Sequence, residues 1–208
     1  MNPLLLEDLF FSICDYFTFK EIIKYELLSK HHHKIIRQHH WYHPLKIKKL
    51  KLIERYQLKN LDLSWSDVTD EMVKLLNCHT LNLEGTDVTD ESVKHLKCHT
   101  LNLAYTMVTD ESVKLLKCHT LDLSCTKVTD ESVKHLKCHT LNLGNTKVTD
   151  ESVKHLKCHA LSLFNTIVTD ESVKLLKCHV LNLSFTGVSD ETIQLLQSNG
   201  CKIYNNKR

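Results

Sequence analysis

Cysteine and histidine stand side by side at Cys78-His79, Cys98-His99, Cys118-His119, Cys138-His139, Cys158-His159 and Cys178-His179. Together these residue types could hold a transition metal or form a thiol–imidazole nucleophile. A second set, Asp110-Glu111-x-x-Lys114 and its equivalents, offers paired carboxylates for acid–base work or a charged outer face. A third, His31, His32, His33, His39, His40 and His43, could also grip a metal. Each proposal depends on where the backbone points the side chains. Neighbours on an extended strand face opposite sides, so a Cys-His pair cannot converge on one ion or one substrate. The cysteines then read as small apolar core residues and the histidines as a stacked, partly exposed column. No column offers a unique catalytic pair and no glycine-rich phosphate loop is present, so no enzyme, metal site or cofactor is expected.

The element that positions all of these is a line of sequence that recurs seven times, opening at Leu61, Leu81, Leu101, Leu121, Leu141, Leu161 and Leu181. The copy at 101–120 reads LNLAYTMVTDESVKLLKCHT. A fixed period of that size is the mark of stacked units in a solenoid. Leu101 and Leu103 lie two apart, so a short strand turns both to one face and leaves Asn102 on the other. Val113 and Leu116, with Lys114 and Lys117 beside them, predict an amphipathic helical turn. Thr109 is the expected N-cap, and Asp110 and Glu111 then sit where the helix dipole favours negative charge. Leu101, Leu103, Val108, Val113, Leu116 and Cys118 form the inward set. The carboxylates at 110 and 111 are expected to pair with Lys114 on the outer face, and His95, His135 and His155 to be half-buried packing residues. No unit has enough apolar surface to fold alone, so the array must fold as a stack.

The 208 residues carry a net charge of only +2, which by itself implies no nucleic-acid or membrane partner. No apolar run approaches the length a membrane-spanning helix needs, so no membrane span is expected. Glu7 and Asp8 interrupt the apolar start, so a signal peptide is not expected either. Nine cysteines without a secretory signal read as reduced thiols, which places the chain in the cytoplasm or nucleus.

Residues 1–45 show none of the repeat. Leu5, Leu9, Ile13 and Phe17 mark one helix, and Thr18-Phe19-Lys20-Glu21 is a capping box opening a second that contains Ile22, Ile23 and Leu27. A third stretch after Ser29 carries Ile35 and Ile36 and ends near Trp41 and Pro44. Residues 46–60 are basic and read as a linker helix capping the open end of the stack. At the other end Cys201 and Ile203 take the strand positions of a truncated unit within 61–208.

The string Leu5-x-Glu7-Asp8-Leu9-x-x-x-Ile13-x-x-Tyr16-Phe17, with Lys20-Glu21-Ile22-Ile23, Leu28-Ser29-Lys30 and Trp41, resembles the F-box motif. The array resembles the cysteine-containing leucine-rich repeats found in F-box proteins, and such short near-identical repeats are similar to those of large DNA virus proteins. The resemblance implies an α/β chain: a three-helix F-box-like module, then a right-handed leucine-rich-repeat solenoid with a parallel sheet on its concave face and short helices on its convex face. It further implies a substrate-recognition subunit of a cullin–RING ubiquitin ligase, monomeric before assembly. Leu5, Leu9, Ile13, Phe17, Ile22 and Ile23 would dock a Skp-type adaptor. The alternative is a stand-alone leucine-rich binding or decoy module. In either case the variable positions Trp65, Glu84, Tyr105, Cys125, Phe164 and Phe185 are candidates for contact with a target protein, because aromatics exposed on such a surface act as hot spots. Cys125 is the repeat cysteine outside the inward column and the thiol most open to reaction.

Overall fold

The computed structural model describes residues 59–206 together with the two-residue strand His40–Trp41. Among the described residues nine strands, all parallel and in sequence order, form one open sheet: β1 His40–Trp41, β2 Asn60–Asp62, β3 Thr80–Asn82, β4 Thr100–Asn102, β5 Thr120–Asp122, β6 Thr140–Asn142, β7 Ala160–Ser162, β8 Val180–Asn182 and β9 Lys202–Tyr204. From β2 to β8 the register advances by one full period per rung, pairing Leu61 with Leu81, Leu81 with Leu101 and so on to Leu161 with Leu181. Short helices follow the strands: α1 Asp70–Val73, α2 Asp90–Val93, α3 Asp110–Val113, α4 Asp130–Val133, α5 Asp150–Val153 and α6 Asp170–Val173, then the longer α7 Asp190–Ser198. The chain is therefore an α/β repeat array whose helices stack rung on rung, as its strands do.

The inward set is as the spacing predicts. Leu101, Leu103, Val108, Val113, Leu116 and Cys118 are all buried, and their equivalents join one continuous apolar core along the stack. The helices are shorter than their apolar spacing suggests. Each of α1 to α6 is four residues long, so Leu116 and its equivalents are delivered by the turn that follows. His95, His135 and His155 lie just past those helices and are exposed, which corrects the expectation that they are half-buried.

Two departures occur at the ends. His40–Trp41 pairs in parallel with Asn60–Leu61, one period upstream of the first recognisable unit, where a helix end is the sequence expectation. Asn60 belongs to β2 rather than to a linker helix. The helical stretches and adaptor residues expected within 1–39, and the basic stretch 46–58, lie outside the described residues. At the far end β9 pairs Ile203 with Leu181, a step two positions longer than the period. The insertion accompanies the lengthening of α7, and Gly200, at φ 87°, ends that helix with its N–H donated to the Gln197 carbonyl.

The units are joined by a polar seam as well as by the core. The Asp90 carboxylate accepts hydrogen bonds from the next unit: Thr109 N–H at 2.9 Å, Thr109 Oγ1 at 2.6 Å and Ser112 Oγ at 2.6 Å. Asp70, Asp110, Asp130 and Asp150 repeat the pattern, and Asp170 binds Ser189 N–H and Oγ. Ser112 and its equivalents are almost completely buried. The expected Asp–Lys pairing on the outer face is thus largely replaced. Among the described residues it survives at Asp170–Lys174 (3.9 Å), while Glu91 meets Lys94 at 3.0 Å and Lys74 at 3.8 Å.

Candidate protein-binding rim

Beyond each strand the chain must leave the sheet quickly, and one column of residues makes the turn. Tyr105 does so at φ 56°, and its N–H is donated to the Ser124 carbonyl of the next unit at 3.0 Å. One residue on, the buried Thr106 hydroxyl is donated to the Leu103 carbonyl at 2.6 Å. The asparagine or aspartate ending most strands accepts from the N–H two positions later, as Asn102 does from Ala104 at 2.9 Å. Left-handed φ suits glycine and asparagine, and Gly85, Asn145 and Asn165 occupy the column accordingly. Trp65, Tyr105, Cys125 and Phe185 occupy it as well, between φ 55° and 60°. Aromatic residues there cost about 1 kcal/mol each in backbone strain. They are held where the fold alone would favour a smaller residue.

The structure gathers the six candidate contact residues along this rim in two groups. Trp65 is 66% exposed and Tyr105 56%, with their rings 6.0 Å apart. Gly85 lies between them, and a Cβ there would fall 2.4 Å from the Trp65 ring, so this glycine is what lets the indole lie across its rung. Cys125 is half-buried beside Tyr105, and its hydrogen bond with the tyrosine raises the phenol above its ordinary pKa. Glu84 is half-buried and accepts from Asn102 Nδ2 at 3.2 Å. The second group is Phe164 and Phe185, half-buried rather than exposed, packed edge to face at 5.2 Å. The column containing Glu84 and Phe164 is less open than sequence reading suggests, since Ala104 and Ser184 within it are buried.

Met107 and Ile167, 50% and 70% exposed, belong to the rim too and are absent from the sequence-derived candidates. Ile167 borders a shallow groove with Asn165, Phe185, Gly187 and Val188. The signal that could have found both is the replacement of the charged residue after the threonine by an apolar one in those two units. Between the two groups lie Lys127 and Lys147, both exposed, and a hydrogen bond donated by Asn165 Nδ2 to Asn145 Oδ1 at 2.7 Å.

The opposite edge of the sheet holds the cysteine and histidine columns. Burial pushes the Cys98, Cys118 and Cys138 thiols up to about 12, so these sulfurs are neutral inward side chains. The neighbouring histidines are exposed and stack face to face at 4.3 to 4.7 Å from His79 to His179. Desolvation, and then the nearness of His119, His159 and His179, hold His139 below the usual histidine range. Among the described residues no three metal-ligating side chains converge on a point.

Tyr105→Asn separates a presented ring from a structural one. Asparagine adopts the left-handed backbone readily, whereas tyrosine is strained there. The substitution is expected to leave stability unchanged or to raise it by up to about 1 kcal/mol in urea melts, because relief of strain offsets the lost ring contact. A loss above that figure would mean that the ring supports the fold.

No protein-family model matches this chain, and no curated protein matches its sequence.

Proposed function

We propose that this chain is the substrate-recognition subunit of a cullin–RING ubiquitin ligase working inside the cell, built as an F-box-like module followed by a right-handed leucine-rich-repeat solenoid. The observation that carries the binding half is the rim: Trp65 and Tyr105 are exposed on strained left-handed backbone, and the exposed Met107 and Ile167 lie along the same side of the array. Strain kept at exposed aromatics fits selection for contact rather than for folding. The ligase half rests on the likeness of residues 1–45 to an F-box. On this reading the chain does no chemistry. It holds a target protein against Trp65, Tyr105, Met107 and the Phe164–Phe185 pair. Binding of a Skp-type adaptor through Leu5, Leu9, Ile13, Phe17, Ile22 and Ile23 then raises the local concentration of target lysines near the ubiquitin donor.

A second reading has one observation in its favour. His40–Trp41 adds a rung to the array, so the segment that ends the F-box-like stretch meets the stack directly. A helical module that only caps the array would leave a stand-alone binding or decoy protein. Mixing the full chain with a purified Skp-type adaptor decides between them. The ligase reading expects a 1:1 complex by size-exclusion chromatography, lost in the Leu9→Asp/Ile13→Asp double variant while the thermal transition of the array persists. A folded full chain that binds no adaptor establishes the second reading.

A further inference from the structure

The net charge of +2 conceals a strong segregation. The six segments 74–80, 94–100, 114–120, 134–140, 154–160 and 174–180 together hold eleven lysines, nine histidines and no carboxylate. The fold sets them side by side. From His79 to His159 each carbonyl of the histidine column accepts two N–H groups from the next unit, as His99 does from His119 at 2.9 Å and Thr120 at 3.0 Å, which locks the rungs in register. Lys97, Lys117, Lys137, Lys157 and Lys177 sit two positions before the histidine column and are exposed like it. The ion pairs among the described residues use Lys74, Lys94 and Lys174, so these five lysines lack a carboxylate partner there. Toward the C-terminal end Lys154, His155, Lys157, His159, Lys177 and His179 line an open groove. The carboxylates that balance the charge lie off this edge: the aspartates bind the next unit along the seam, and Glu91, Glu111, Glu131, Glu151 and Glu171 are exposed on the short helices.

We infer that this lysine–histidine edge, across the sheet from the aromatic rim, is a docking surface for an extended acidic polypeptide segment. A row of lysines over several rungs, without ion-pair partners among the described residues, attracts a linear polyanion and steers it into place. Two observations favour a polypeptide over a nucleic acid. The faces of the histidine rings are covered by one another, so successive bases find no stacking platform. The edge also contains no arginine, the side chain best matched to phosphate geometry. Lysine ammonium groups and imidazole N–H donors suit carboxylates on a flexible chain, which can reach them without fixed spacing. The surface is separate from the rim and independent of the ligase reading.

The test measures fluorescence anisotropy of a labelled twenty-residue polyglutamate and of a labelled twenty-nucleotide thymidine strand with the full chain, from 50 to 300 mM salt. The peptide is expected to bind, more weakly as salt rises. The Lys117→Gln/Lys137→Gln/Lys157→Gln variant is expected to weaken it at least tenfold, and the rim control Lys127→Gln/Lys147→Gln less than twofold. Circular dichroism melts check that both variants remain folded. No peptide binding at 50 mM salt, equal losses in both variants, or tighter binding of the thymidine strand overturns the inference.

Discussion

Replacing Asp110 with alanine is expected to cost the array about 3 kcal/mol in urea melts, far more than a surface carboxylate contributes. The loss follows from what the carboxylate holds. It accepts Thr129 N–H at 2.9 Å, Thr129 Oγ1 at 2.6 Å and Ser132 Oγ at 2.6 Å, all from the neighbouring unit. Hydrogen bonds to a charged acceptor are worth about 1.5 to 3 kcal/mol each, though not additively. Ser132 is fully buried, so its hydroxyl must find another acceptor within the packed seam. Asp110→Asn keeps an acceptor oxygen for Ser132 and Thr129 N–H, and about half the loss is expected. Ser132→Ala removes one donor but leaves no buried group unpaired, so about 1 kcal/mol is expected. Because a stacked array is stabilised largely by its unit-to-unit interfaces, a cut in the middle also uncouples the two halves and broadens the transition. The same substitution at Asp70 affects a terminal interface and should fray one unit only. A loss below about 1 kcal/mol for Asp110→Ala would show that the seam is a consequence of stacking and not a cause.

This seam marks where sequence reading stops. The period, the strand leucines, the inward cysteines and the outward histidines are all legible, because each depends on alternation within a single unit. The partner of Asp90 is not. In a strict repeat, a hydrogen bond donated by Thr109 to Asp90 has the same signature as one donated by Thr89, since both donors are the same letter one period apart. The aspartate therefore reads as a helix-dipole residue with a lysine four positions on. Nothing in its own unit marks Ser112 as a partner either, although it donates to Asp90. His95, His135 and His155 are misread because Val113 and Leu116 suggest a longer helix than the four residues that form. At the rim the variable positions are visible in the sequence, but their left-handed backbone is not. Its trace is that Gly85, Asn145 and Asn165 share one column with Trp65, Tyr105 and Phe185. That mixture places aromatic side chains where the backbone favours glycine or asparagine.

The same seam predicts a steep acid transition. Burial raises the pKa of Asp70, Asp90, Asp110, Asp130 and Asp150, but the hydrogen bonds from the following unit's serine and threonine outweigh it, and each carboxyl is held below its ordinary range. At Asp170 the bonds from Ser189 dominate and act in the same direction. An aspartate in the unfolded chain has a pKa of about 3.9. Below that value the unfolded state takes up protons that the folded state does not, so stability falls as pH falls. The seam's contribution is complete above about pH 5 and declines as pH drops through 4 toward the lowered folded values. Six carboxylates titrate over one narrow window in a structure whose units depend on each other, so the loss should be cooperative. His139, held below the usual histidine range, pulls the same way at milder pH, because the unfolded chain protonates its imidazole first. Urea midpoints between pH 2.5 and 8 measure this directly. The expected profile is nearly flat above pH 5, with a small decline below 7, and drops sharply under pH 4. In Asp110→Ala the drop should be shallower, since that variant has already lost one of the six sites. A wild-type midpoint unchanged from pH 6 to pH 3 would mean that these carboxylates bind protons alike in the folded and unfolded chain, and that their ionisation adds nothing to stability.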